Sequence, residues 1–103
     1  MALELRPNCE CCDRDLPPES TAARICSFEC TFCGDCVDNI LFNVCPNCGG
    51  GFAPRPIRPA TEWRPGVSVA TRPPSTKRRS LSFSRDEIAA HSRRIMHVAP
   101  ENR

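Results

Sequence analysis

Apolar residues in this chain come in short groups, and their spacing predicts only small elements. From Ala22 to Phe32 the pattern alternates weakly, with Ile25, Phe28 and Phe32 as its apolar members, which predicts a short irregular hairpin. Val37, Ile40 and Leu41 then stand at i, i+3 and i+4, the stripe of a two-turn helix, and Asn43 is a plausible stop. Between residues 60 and 82 proline and basic residues displace apolar ones, so that stretch cannot offset its own ordering entropy and reads as a linker. A last helix is written at Phe83–Ile88. Ser84 and Glu87 form a capping box there, and Phe83 and Ile88 occupy staple positions. Ile88, Ser92, Ile95 and Met96 continue a ragged apolar face until Pro100. A helix of that length is marginal alone and is expected to dock or to form on binding.

Composition divides the chain near residue 59. All nine cysteines precede residue 49, whereas seven of the eleven prolines follow residue 51. The expected organisation is a metal domain at 1–59, a Pro-rich basic linker at 60–82, a short amphipathic helix at 83–99 and a terminus at 100–103. A truncated chain ending at Pro59 is expected to keep its fold. The apolar set of the first half, Leu16, Ile25, Phe28, Phe32, Val37, Ile40, Leu41, Phe42 and Val44, is small for a domain that must fold without staples. Each structural zinc contributes roughly 10–16 kcal/mol of apparent binding energy, which is also folding energy. Metal removal is therefore expected to unfold the domain.

Eight of the cysteines form a ladder of ligand pairs: Cys9-x2-Cys12, Cys26-x3-Cys30, Cys33-x2-Cys36 and Cys45-x2-Cys48. Two cysteines at such spacing can place both sulfurs on one ion, and four pairs make two tetrahedral thiolate sites. Cys30, Cys33 and Cys36 recur every three residues, so a boundary between sites falls inside that run. Spacing leaves two wirings open: sequential pairs, or interleaved pairs with Cys9, Cys12, Cys33 and Cys36 on one ion and Cys26, Cys30, Cys45 and Cys48 on the other. In Cys45-Pro46-Asn47-Cys48-Gly49 the proline fixes φ after one ligand and the glycine can take positive φ after the next, as a metal knuckle requires. Cys11 is spare: a buried or half-exposed passenger, a replacement ligand for Cys9 or Cys12, or a reactive thiol. His91 and His97 have no spaced partners and are left out of the ligand set.

Disulfides would need an oxidising compartment. Met1 to Pro7 is short and broken by charge, unlike a secretory leader, so the expected setting is a reduced, cytoplasmic one. No apolar run approaches the ~18 residues of a membrane span. The net charge of +2 hides two opposite halves. Residues 1–50 hold three arginines against eight acids, and residues 51–103 eleven Lys and Arg against four. An acidic head and a basic tail can fold together or reach for an anionic partner.

The string from Leu3 to Pro59, with LELRPNCECC, ARICSFECTFC, CPNCGG and RPIRP, resembles the bacterial domain of unknown function 1272 family. That family name carries no activity. The ligand order, with gaps of 13, 2 and 8 residues between pairs, and Phe32 before the fifth ligand also resemble RING domains, here with cysteine at every ligand position. This second likeness implies the interleaved wiring and a small metal-stabilised α+β fold. It would be a RING-like cross-braced treble clef with two zinc sites, a short hairpin and one short helix, followed by a largely disordered tail. Ubiquitin-ligase function does not carry over, because Cys11, Ile40 and Gly49 stand where ligases usually place residues that touch the conjugating enzyme.

The expected function is a non-enzymatic zinc-binding module that presents a surface to a protein partner. Saturated four-thiolate sites leave no place for water or substrate, and the ordered half holds no histidine to act as a base. Three alternatives stand beside it: an iron-thiolate redox protein, a ligase-like adaptor, and a nucleic-acid binder using Lys77-Arg78-Arg79. An acidic head speaks against the last. Pro54-Arg-Pro56-Ile-Arg-Pro59 reads as a strap or stiff linker before it reads as a polyproline ligand. The sequence does not decide whether Trp63 packs or is exposed.

Overall fold

In the computed structural model, which describes residues 2–103, the alternating segment folds as the hairpin its pattern predicts. Strand β1 is Ala23–Ile25 and β2 is Thr31–Cys33, antiparallel with Ala23 opposite Cys33 and Ile25 opposite Thr31. Glu29 turns the connecting loop with a positive φ of 68°, and the Cys26 N–H donates to the Cys30 carbonyl at 3.2 Å. Strand β3, only Ala53–Pro54, adds to the free side of β1, so the sheet order is β2-β1-β3. Proline is tolerated there because β3 is an edge. Phe28 departs from expectation: it is 70% exposed. The loop turns Cys26 and Cys30 inward and leaves Phe28 at its tip.

The stripe at Val37, Ile40 and Leu41 also forms a helix. Helix α1 is Gly34–Cys36 and widens at once into a π-type turn over Val37–Leu41. Phe42 and Asn43 end it with left-handed φ values of 50° and 59°, one residue earlier than Asn43 alone would. Leu41 is fully buried and Val37 nearly so. Phe32 is the largest buried side chain, and its ring meets Phe52 edge-on at 5.3 Å.

An N-terminal arm, Leu5–Glu10, lies against the hairpin. The Glu10 N–H donates to the Thr31 carbonyl at 2.9 Å, and the Glu10 carboxylate accepts the Thr31 N–H at 2.6 Å and pairs with Arg6 at 2.9 Å. Just beyond β3, Arg55 is 4% exposed and ties the arm down through the carbonyls of Arg6, Leu16 and Pro17 at 2.9–3.0 Å. Burial lowers its pKa, and carbonyl oxygens rather than a carboxylate hold the guanidinium.

The expectation of a largely disordered tail is corrected by its contacts. Residues 75–81 lie along the arm, with Ser75 N–H on the Leu5 carbonyl and Leu81 N–H on the Glu10 carbonyl, both at 2.9 Å. Helix α2, Arg85–Ile95, carries the predicted capping box at Ser84 and Glu87 and docks on the π-type turn Val37–Leu41. Ile88 is 3% exposed and the Ser92 hydroxyl donates to the Leu41 carbonyl at 2.9 Å. A final 3₁₀ turn spans Pro100–Asn102. Hydrogen bonds to the arm, opposite charge and the burial of Ile88 offset the entropy that local composition alone left unopposed.

Candidate metal centre

Each cysteine pair is presented by a local turn. Cys9 and Cys12 sit on a loop closed by the Asp13 N–H on the Cys9 carbonyl at 2.9 Å, with Asp13 left-handed at φ 66°. Cys33 ends β2 and Cys36 ends the first turn of α1, which brings their sulfurs to one side. The four sulfurs of Cys9, Cys12, Cys33 and Cys36 all lie within 4.8 Å of one another, and Cys12 Sγ stands 3.7 Å from Cys33 Sγ. A tetrahedral ion with Zn–S bonds of about 2.3 Å has sulfur–sulfur edges of about 3.8 Å. The donor set therefore fits a four-thiolate ion.

The second group draws on the hairpin loop and the knuckle. Gly49 takes the positive φ of 79° that the motif anticipates, while the Gly49 N–H reaches the Cys45 carbonyl and the Cys45 N–H reaches the Gly50 carbonyl, both at 2.8 Å. Cys26, Cys45 and Cys48 have sulfurs within 4.8 Å of one another. Cys30 is buried but its sulfur is not within that mutual distance; it accepts the Asn47 side-chain amide at 3.4 Å. The sulfurs thus group the first pair with the third, and Cys26 with the fourth pair.

Burial and crowding decide the thiol chemistry. Desolvation pushes Cys9 up to about 11 and raises Cys30, Cys36 and Cys45 as well. Cys33 goes the other way: burial opposes it, but the Cys36 N–H and the thiols of Cys36, Cys12 and Cys9 outweigh burial. Further N–H groups aim at sulfur, from Phe28 to Cys26 at 3.3 Å and from Gly50 to Cys48 at 3.4 Å. Four packed thiols cannot all ionise beside one another without a cation, and a divalent ion reverses that balance.

Cys11 is half-buried, packs against the core and joins neither group. The His91 ring meets the second group only at a backbone atom, with Nε2 3.1 Å from the Cys45 carbonyl oxygen, and His97 stands with neither. Sequence reasoning missed Glu10, a nearly buried carboxylate whose only local signal is its place between Cys9 and Cys11. It also missed Arg103, which donates to the Asn43 and Gly49 carbonyls at 2.7 and 3.2 Å and has no such signal.

The family described as "Protein of unknown function (DUF1272)" matches residues 2–58. The chain belongs to that family. A stretch of 59 residues, 57% of this chain and 70% of the relative, is 64% identical to an uncharacterized protein of Rhizobium meliloti (strain 1021). No solved structure matches the chain. The DUF1272 unit thus contains all nine cysteines, both sulfur groups and the three-stranded sheet, while residues 75–81 and α2 lie outside the match. No helix among the described residues is long and apolar enough to cross a membrane.

Proposed function

We propose that the DUF1272 unit is a non-enzymatic two-zinc module whose metal is structural and whose surface serves a protein partner. The observation that carries this reading is the set of four sulfurs within 4.8 Å, one pair of them at 3.7 Å. Soft thiolates in a tetrahedral set favour zinc or iron–sulfur chemistry over hard cations. Cys9, Cys12, Cys33 and Cys36 would hold the first ion; Cys26, Cys45 and Cys48, completed by the adjacent buried Cys30, would hold the second. The ions would supply cross-links between arm, hairpin, α1 and knuckle that so small a core lacks. Pairing distant ligands in this order supports the RING-like cross-braced treble clef. With four thiolates on each ion there is no open coordination position for catalysis.

Metal analysis of protein purified without added metal tests this. About two equivalents of zinc per chain are expected from the four-thiolate rule. One equivalent, or bound iron with visible absorption, would refute the assignment and favour a redox role.

A further inference from the structure

Resting on the reading of this unit as an interaction module, we propose that the arm Leu5–Glu10 is a docking edge for a basic, extended segment of a partner protein. Residues 75–81 occupy that edge in cis as a built-in competitor.

Main-chain contacts define the edge. Ser75 and Leu81 donate their N–H groups to the Leu5 and Glu10 carbonyls at 2.9 Å. Between them Asn8 completes the pairing with its side chain: its amide donates to the Arg79 carbonyl at 2.7 Å and its oxygen accepts the Arg79 N–H at 3.1 Å. Asn8 is fully buried, so its amide is held in place. It reads only the backbone of residue 79, and any extended L-residue with an N–H satisfies it. Such backbone pairing along an edge is the mode by which extended peptides are bound.

Charge selects the occupant. Arg78 donates to both Asp13 Oδ1 and the Asp13 carbonyl, at 2.9 and 2.7 Å, and to Asp15 Oδ1 at 2.7 Å. Arg79 reaches Glu4, just before the arm, at 3.3 Å. The carboxylates of Asp13 and Asp15 are 72% and 81% exposed, so each pair is weak by itself, and tethering supplies much of the hold through effective concentration. Glu4, Asn8, Asp13 and Asp15 all fall inside the family match at 2–58, whereas the basic strap formed by residues 75–81 falls outside it. The acidic edge thus lies within the matched stretch, and the basic segment laid upon it comes from outside that stretch.

The test uses the full, metal-loaded chain and a fluorescein-labelled peptide copying residues 74–82, followed by anisotropy. Arg78→Glu combined with Arg79→Pro removes the guanidiniums and the N–H that Asn8 accepts. This variant should bind the peptide at least about tenfold more tightly than the natural chain, whose edge is filled. Asp13→Asn with Asp15→Asn on that background should weaken binding several-fold, and added salt should weaken it further. Because the strap variant could fail to fold, its metal content is measured in parallel. On the natural chain, excess peptide should accelerate hydrogen exchange at the Arg79 and Leu81 amides. The proposal is overturned if a metal-retaining strap variant ignores the peptide, or if the natural chain binds it equally well. Unchanged exchange under saturating peptide, or straps exchanged between two copies in a concentration-dependent dimer, would overturn it too. A different metal in the sites would refute the zinc reading while leaving this titration intact.

Discussion

Replacing Cys33 with serine tests the first sulfur group at a ligand that links β2 to α1. Cys33 is 2% exposed and its sulfur lies 3.7 Å from that of Cys12, so the change removes one of four donors without opening much surface. If an apparent binding energy of about 10–16 kcal/mol is shared over four thiolates, each is worth roughly 2.5–4 kcal/mol. That corresponds to about two to three decades in affinity at ~1.4 kcal/mol per decade, and it is a large part of the ~5–15 kcal/mol that holds a domain folded. Chelator titration with native mass spectrometry should therefore show Cys33→Ser losing one ion at a chelator concentration where the natural chain keeps two. Cys48→Ser should lose the other. The double variant decides the wiring: with the sulfurs grouped as they are, it should lose both ions under these conditions. If it loses no more than either single variant, Cys33 and Cys48 share an ion and the interleaved arrangement is wrong.

Ile88→Ala should undock α2, since truncating an isoleucine that is 3% exposed costs about 2–5 kcal/mol and a helix of eleven residues is marginal unaided. Hydrogen exchange across Arg85–Ile95 should rise while both ions stay bound; protected amides would contradict the docking. Glu4 carries an acid-sensitive contribution, because its hydrogen bond from Arg6, helped by Arg79, holds its carboxyl below the ordinary value of 4.5. A depressed folded pKa stabilises above the unfolded value and is lost as pH falls through the folded one. The melting-temperature gap between the natural chain and Glu4→Gln should thus be small, full above about pH 5 and fading in more acid solution. A gap that grows with acid would refute the assignment.

The sequence by itself carried the elements whose signals are local. Ligand spacing is one: the turns at Cys9–Cys12 and Cys45–Cys48 are closed by their own backbone, with Asp13 N–H on the Cys9 carbonyl and Gly49 N–H on the Cys45 carbonyl. The capping box at Ser84 and Glu87 and the buried stripe of Val37 and Leu41 are others, since periodicity and caps act within a turn or two. What could not be read is what covers what. β3 has two residues and no pattern, and it exists only because β1 has a free edge. Burial of Asn8 depends on a strap 71 positions away, and the carbonyl of Leu41 meets a hydroxyl 51 positions away. Between residues 60 and 82 the local sum of apolar area and entropy favours disorder. Only the tertiary structure supplies the opposing terms for residues 75–81, the arm and the carboxylates beside it, which lie elsewhere in the chain. The grouping of sulfurs was decided in the same place: spacing admitted two wirings, and the packing of β2 and α1 against the arm set Cys33 and Cys36 beside Cys9 and Cys12.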